Sequence, residues 1–294
     1  MDENGHSCPH SPYSSPLESH MTLEQRLERA TELARMAGER MIKAREEQGF
    51  AHHYKKGDEL VTDIDVAIDT LLAEALEAEF PEDARLTEEL SPERDVIATK
   101  GGLWVIDPID GTVNFSHGLR HVAVSIAWCE RGKIQMGVVH APFLGETFTA
   151  IRGKGAWLNG ESISVSGMEE MSRALVATGF PYNRDSRPPL LKRLSAMLLV
   201  CQDVRRNGSA ALDLCDVACG RLDAYYESVS PWDFAAGLLI AREAGARTGH
   251  LYRCPDGIPE ELYGENIVVS TPELHAPLKR LLEDADATSG LPGL

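Results

Sequence analysis

The sequence predicts a mixed α and β fold with helices covering two sheets. Three observations carry this. Apolar residues near the N-terminus recur at spacings of three and four, a continuous apolar run at Leu103-Trp104-Val105-Ile106 opens a β-rich stretch, and strand-like and helical runs alternate through the C-terminal half. At 294 residues the chain exceeds one average domain, and the pattern suggests two tightly packed halves. Residues 21–165 form an N-terminal α+β half with a large antiparallel sheet, and residues 166–286 a C-terminal α/β half, between flexible tails at 1–20 and 287–294.

Residues 1–20 are rich in Ser, Pro, His and Gly and poor in large apolar side chains, so burial cannot repay the entropy of ordering them. His6, Cys8 and His10 alternate there as metal ligands could, yet no scaffold orients them. Thr22 and Gln25 form a capping box, followed by Leu23, Leu27, Ala30, Ala34, Ala37 and Met41 on one face of a helix that stops near Gly49. A second helix runs from about Val66 through Leu72 and Leu76 and ends before Pro81, because proline disfavours helical geometry in the preceding residue.

From Gly102 onward, β-rich stretches at 121–129, 133–140 and 146–151 with Gly and Pro punctuation indicate a large buried sheet. The C-terminal half predicts strands at 175–178, 224–226 and 267–269 and helices at 189–200, 209–219, 233–244 and 272–284. Gly153-Lys154-Gly155 lacks the spacing of a phosphate-binding loop and is expected to be a turn between strands.

Acidic residues outnumber basic ones 46 to 29, for a formal charge of −17, which argues against a duplex nucleic-acid binder that must neutralise phosphates. Cys8, Cys129, Cys201, Cys215, Cys219 and Cys254 contain no CxxC pair and are expected to be reduced thiols. No apolar run approaches the ~20 residues that cross a bilayer, and the N-terminus lacks the blocks of a signal peptide. The expectation is a cytoplasmic protein with no membrane partner.

The most informative stretch is Trp104-Val105-Ile106-Asp107-Pro108-Ile109-Asp110-Gly111-Thr112, an apolar strand that runs into two carboxylates. Pro108 fixes φ and Gly111 permits a sharp turn, so Asp107, Asp110 and the Ile109 carbonyl can converge beyond the strand's end as hard oxygen ligands of the kind Mg²⁺ prefers. If a helical turn begins after Gly111, its free N–H groups would face a bound phosphate. Alone, this motif is an ordinary strand-to-turn Asp-Gly. Three further acidic positions are singled out: Thr87-Glu88-Glu89, alone a solvated acidic pair; Trp232-Asp233, alone an N-cap aspartate; and Asp63-Ile64-Asp65, where Asp65 alone is a helix-start acid.

Asp107-Pro108-Ile109-Asp110-Gly111-Thr112 and Trp232-Asp233-Phe234-Ala235-Ala236-Gly237 together resemble the paired motifs of the inositol monophosphatase family. The resemblance extends to Leu60-Val61-Thr62 with Asp65, to Thr87-Glu88-Glu89, to Gly153-Lys154-Gly155-Ala156-Trp157-Leu158-Asn159-Gly160, to Gly208-Ser209-Ala210-Ala211 and to Asp223-Ala224-Tyr225-Tyr226-Glu227. It spans roughly residues 22–285 in the family's order. It implies a layered α-β-α-β-α sandwich, a homodimer, and two to three Mg²⁺ per active site.

By position, the resemblance implies that Glu88, Asp107 and the Ile109 carbonyl hold one ion and Asp107, Asp110 and Asp233 a second, with a weaker third near Glu88. Asp65, Glu88 and Thr112 take catalytic roles, Asp65 and Thr112 orienting or deprotonating the attacking water. Asp110, Gly111, Thr112, Gly208, Ser209, Ala210 and Glu227 meet the substrate, Glu227 accepting hydrogen bonds from ring hydroxyls. The spacer Ser228-Val229-Ser230-Pro231-Trp232 is one residue shorter than in animal members.

A phosphate monoester carries about two negative charges, and four carboxylates would repel it unless divalent cations intervene. That argument supports a divalent cation, and the resemblance implies the rest: Mg²⁺-dependent, lithium-sensitive hydrolysis of a small phosphorylated polyol, inositol 1-phosphate first. Histidinol phosphate, fructose 1,6-bisphosphate or a 3′-phosphoadenosine nucleotide are sibling substrates, and an accessory regulatory role through protein contacts is the alternative of another class. Lys55 or Lys56 could assist the phosphate or simply occupy a solvated loop. Arg205 and Arg206 could steer an anion or cap a sheet edge.

Overall fold

The computed structural model describes residues 21–47, 50–54, 60–91, 93, 96–97, 101–181 and 187–288. The N-terminal tail with His6, Cys8 and His10, the lysines Lys55 and Lys56, and residues 289–294 of the C-terminal tail lie outside the described residues.

Helix α1 (Leu23–Glu47) begins at the predicted capping box: the Thr22 N–H donates to Gln25 Oε1 at 2.8 Å, and the Gln25 N–H to Thr22 Oγ1 at 3.3 Å. Its face of Ala30, Leu33, Ala34, Ala37 and Met41 is buried beside α2 (Asp63–Glu79), which buries Ile68, Leu72 and Leu76. A short antiparallel pair, β1 (His52–Tyr54) and β2 (Leu60–Thr62), links the two helices. Helix α2 starts at Asp63, three residues before the predicted Val66, because Thr62 and Asp65 make a capping box that apolar periodicity does not register.

Both helices cover one face of a seven-stranded sheet in sequential order: β3 (Ala84–Thr87), β4 (Gly102–Asp110), β5 (Ala123–Glu130), β6 (Lys133–Ala141), β7 (Glu146–Ile151), β8 (Gly155–Leu158) and β9 (Glu161–Ser162). The expected antiparallel sheet has one exception, β3 running parallel to β4. Strand β4 is buried throughout, and its alternation is easily read: Trp104 and Ile106 join the core under α1 and α2, while Leu103 and Val105 join the core on the other face. Gly153-Lys154-Gly155 lies at the turn from β7 to β8, as expected.

That second core contains α5 (Ala210–Ala218) and α6 (Pro231–Glu243), sandwiched between the large sheet and a five-stranded one. The smaller sheet has the order β11 (Asp203–Arg205), β10 (Leu175–Thr178), β12 (Ala224–Glu227), β14 (Ile267–Ser270) and β13 (Arg247–His250). Tyr225 and Val269 face α5 and α6, whereas Tyr226 and Val268 face the outer helices α4 (Arg187–Leu198) and α7 (Pro272–Ala287). The layers thus run α-β-α-β-α. The described cysteines, Cys129, Cys201, Cys215, Cys219 and Cys254, are all free thiols, and among the described residues no helix is long and apolar enough to cross a membrane.

Candidate active site

Strand β4 does not release its two aspartates beyond its end, as the sequence suggested; it carries both. Between Asp107, paired with Ser125, and Asp110, paired with Ala123, the register slips, and this bulge accommodates Pro108, which has no N–H for a regular ladder. The Ile109 N–H folds back onto Asp107 Oδ1 at 2.9 Å. Gly111 then turns the chain at φ 95°, and a Cβ there would stand 3.0 Å from the His121 carbonyl and 3.1 Å from that of Gly208. A five-residue helix, α3 (Thr112–Ser116), follows.

Asp233 arrives from the other side of the sheet. It is not the N-cap of α6 but its third residue: Ser230 is the N-cap, and its N–H donates to Asp233 Oδ2 at 2.7 Å. Asp65 holds the same station in α2, where Oδ2 accepts the Thr62 N–H at 2.8 Å and the Thr62 hydroxyl at 2.5 Å. Two capping boxes thus fix two of the candidate site carboxylates.

The carboxylates of Asp107, Asp110 and Asp233 offer oxygens that all lie within 4.8 Å of one another, with Asp107 and Asp110 buried. Burial pushes the Asp107 carboxyl well above the ordinary range, and the charges of Glu88, Asp110 and Asp233 push it further. Glu88 therefore joins this cluster. Asp110 is raised to about 6 by burial, although the Ser209 hydroxyl at 2.5 Å and the Ala211 N–H at 2.8 Å both donate to its Oδ2. Such mutual repulsion among oxygen-only donors fits a hard divalent cation, which would let the acids ionise together.

Asp65 is fully buried, and Thr112 stands between it and the cavity: the Thr112 hydroxyl lies 2.9 Å from Asp65 Oδ1 and 3.1 Å from the Ile109 carbonyl. Burial raises the Asp65 carboxyl too, against the hydrogen bonds from Thr62 and Thr112.

The cluster floors a cavity of about 320 Å³ whose walls include Thr112, Gly208, Ser209, Ala210, Arg206 and Glu227. Glu227, at the end of β12, accepts from the Tyr225 hydroxyl at 2.9 Å; burial lifts it to about 8, with Asp213 and Asp233 adding repulsion. Of the two arginines, Arg206 lines the cavity, while Arg205 is paired with Asp203 at 2.6 Å on the sheet edge. The residues expected to hold metal, activate water or meet substrate thus lie at or directly behind one cavity, whereas Arg205 does not.

Sequence reasoning missed several supports. Asp69, one turn after Asp65 on α2, accepts the Glu89 and Leu90 N–H groups at 3.0 and 2.9 Å and so holds the loop carrying Glu88. Its spacing of four from Asp65, on a face otherwise apolar, was the available signal. Asn114 bridges α3 to the carbonyls of His121 and Asn207, both at 2.8 Å. Gly179, Phe180, Asp213 and Glu265 also line the cavity, and no local pattern marks them.

Comparison with known proteins agrees with this geometry. A model of the inositol monophosphatase family matches residues 22–287. The chain belongs to the inositol monophosphatase family. Nus factor SuhB of Vibrio cholerae is 39% identical over 271 residues, covering 88% of this chain and 96% of that protein. Among solved structures, the inositol monophosphatase from Anabaena (Nostoc) sp. PCC 7120 aligns with a TM-score of 0.76 at 34% identity, covering 89% of this chain and 96% of the other. The extragenic suppressor protein suhB from Bartonella henselae aligns with a TM-score of 0.79 at 31% identity, covering 88% and 98% respectively. Membership in the inositol monophosphatase family supports phosphatase activity in general, and the α-β-α-β-α layering is that of its solved members.

Proposed function

We propose that the chain hydrolyses a phosphate monoester in a Mg²⁺-dependent reaction, with inositol 1-phosphate as the preferred substrate. The observation that carries the reading is the convergence of Asp107 and Asp110 from β4 with Asp233 from α6, beside Glu88, at the floor of a cavity whose wall includes a further acid, Glu227. Glu88, Asp107 and the Ile109 carbonyl would hold one ion and Asp107, Asp110 and Asp233 another, with a third near Glu88. Bound there, such ions neutralise the ester's charge and make water a better nucleophile.

The chain's own groups do the rest. Thr112 donates its hydroxyl proton to Asp65 and would take one from the attacking water in exchange, so that the proton ends on Asp65, whose burial makes it a stronger base than an exposed aspartate. Ser209 caps α5 and spends its hydroxyl on Asp110, so it fixes a ligand and leaves Gly208 and Ala210 to shape the wall. Glu227 accepts hydrogen bonds from the polyol. The protein works as a cytoplasmic homodimer, with Li⁺ in the millimolar range as inhibitor.

Phosphate release from inositol 1-phosphate, histidinol phosphate, fructose 1,6-bisphosphate and a 3′-phosphoadenosine nucleotide, each with Mg²⁺ and with EDTA, tests this. The expected result is highest kcat/KM on inositol 1-phosphate and no turnover in EDTA. Asp107→Asn should cost at least about 10³-fold in kcat, since it withdraws several kcal/mol of charge stabilisation. Full activity in EDTA would end the reading.

A second reading is favoured by the relatives named Nus factor SuhB: an accessory regulatory role through protein contacts. It predicts that Asp107→Asn removes hydrolysis and leaves the phenotype of the cell intact.

A further inference from the structure

The connection from β13 to β14 carries a second set of ligand-type side chains. His250, Cys254 and Glu260 each offer one atom, and these atoms lie within 4.8 Å of one another. None of the three lines the active-site cavity. His250 and Cys254 are half-buried and Glu260 is exposed.

The hydrogen bonding of His250 adds an independent observation. Its Nδ1 stands 3.0 Å from the Glu265 carbonyl oxygen, and its Nε2 stands 3.1 Å from that of Glu260. An imidazolium would donate to both carbonyls, but a neutral imidazole has one N–H and serves only one of them, and the neutral form is the one that binds a metal. With the proton on Nδ1 and donated to Glu265, the lone pair of Nε2 is aimed at the lone pairs of the Glu260 carbonyl. A cation seated to one side of the pair, with the ring tilted to aim Nε2 at it, would turn that repulsion into shared coordination. An Nδ1–H donated to a backbone carbonyl is also how a metal-binding histidine is commonly oriented. The separation of 3.1 Å approaches the edge of a tetrahedral site, which for bonds of about 2.0–2.1 Å is roughly 3.4 Å.

We propose that His250 Nε2, Cys254 Sγ and Glu260 form a binding site for a zinc-type divalent cation, separate from the acidic cluster. The donor set decides the class: a thiolate with an imidazole suits Zn²⁺ and its neighbours, whereas Mg²⁺ takes oxygen. On binding, the Cys254 S–H bond breaks, a sulfur–metal bond forms and the proton leaves to solvent. Tetrahedral edges that include sulfur are roughly 3.5–3.8 Å, so from separations within 4.8 Å the connection from β13 to β14 must close by at most about 1 Å. Residues 252, 253 and 255–258 are exposed, which leaves it room to do so.

The site sits where it would stiffen a wall of the active-site cavity. Glu265, whose carbonyl receives the Nδ1 proton, lines that cavity. Its neighbours are tied to the loop before α6: the Asn266 N–H donates to Ser228 Oγ and the Val229 N–H to the Gly264 carbonyl, both at 2.9 Å.

The test uses the full chain, reduced and metal-stripped, with Asp107→Asn added to weaken the acidic cluster. Titration with Co²⁺ should produce a thiolate-to-cobalt charge-transfer band that saturates at one equivalent. Cys254→Ser should abolish the band, and His250→Gln should weaken binding by about 10–100-fold. In the unaltered chain, Zn²⁺ should shield Cys254 from alkylation, read by peptide mass mapping, and this arm decides the matter if a variant fails to fold. No band and no shielding, or a band that survives Cys254→Ser, would overturn the proposal, whatever the outcome for phosphatase activity.

Discussion

Glu227 shows how the cavity sets the chemistry of a single residue. Burial lifts its carboxyl to about 8, against the Tyr225 hydroxyl that stabilises the ionised form, while burial holds Asp110 at about 6. Both values exceed those of an unfolded chain, so the folded protein binds more protons than the unfolded one over that interval. The associated stability is fully present below the unfolded values of 3.8 and 4.5 and is lost as pH rises from there through about 6 and then about 8. In EDTA, the urea midpoint should therefore fall between about pH 5 and 8.5, and Glu227→Gln should remove up to about 1.4 kcal/mol per pH unit from the upper part of that slope. A slope identical in the variant would refute the assignment. Gly179 bears on the same group, since a Cβ there would stand 2.1 Å from Glu227 Oε1. Gly179→Ala should displace the acid and raise KM for the polyol phosphate roughly tenfold, about 1.4 kcal/mol of uniform binding, with little change in kcat. Glu227 was legible only through the family resemblance that Asp223-Ala224-Tyr225-Tyr226-Glu227 carries. Gly179 was not, because a glycine before Phe-Pro carries no mark of the carboxylate that lies against it from a strand much later in the chain.

At the scale of elements, the aspartates of β4 were readable only jointly, because Asp-Pro-Ile-Asp-Gly is by itself an ordinary strand-to-turn pattern and gains its meaning beside the later Trp232-Asp233 motif. The start of α2 was not, since Leu60-Val61-Thr62 continues as a strand until a side-chain cap intervenes. That helix presents Asp65 and Asp69 one turn apart, and Asp69 anchors the Glu88 loop through two N–H groups. Asp69→Ala should weaken Mg²⁺ activation by about 10–100-fold while saturating Mg²⁺ restores most of kcat; unchanged Mg²⁺ dependence would show that the loop holds itself. A different junction binds α1 to the sheet. Asp83 Oδ2 accepts from Arg26 at 2.6 Å and from the indole N–H groups of Trp104 and Trp128, both at 3.0 Å, with the guanidinium 4.4 Å above the rings of Phe80 and Trp128. Removing one partner of a fully buried pair costs about 3–5 kcal/mol, and for this multiply bonded but part-buried pair the lower end, about 3 kcal/mol, is the upper bound. Asp83→Ala should lower the thermal midpoint accordingly and leave the kcat of the folded fraction intact, because none of these groups reaches the cavity.

Across the whole molecule, the acidic cluster is an interlayer object: β4 contributes two carboxylates from the large sheet, and α6 contributes the third from the layer between the sheets. Their separation is set by close approaches that admit no side chain. A Cβ on Gly137 of β6 would stand 2.9 Å from backbone atoms of Ala236, and one on Gly237 would stand 2.8 Å from Leu214 Cβ of α5. The Ser125 hydroxyl, 3.0 Å from the Trp232 carbonyl, ties β5 to the turn that carries Asp233. Local patterns could indicate each layer, but not how deeply one sinks into the next, which depends on glycines that look unremarkable in their own strand or helix. Gly137→Val would force α6 outward. Overpacking of this kind costs roughly 1–3 kcal/mol, and because Asp233 rides on the helix, a shift of about 1 Å should also spoil the ligand spacing. The urea midpoint and the apparent Mg²⁺ affinity should fall together. A chain with Gly137→Val that lost stability yet bound Mg²⁺ unchanged would mean that the bulge in β4 and the capping box of α6 suffice to hold the acids, and that the layer spacing serves the core alone.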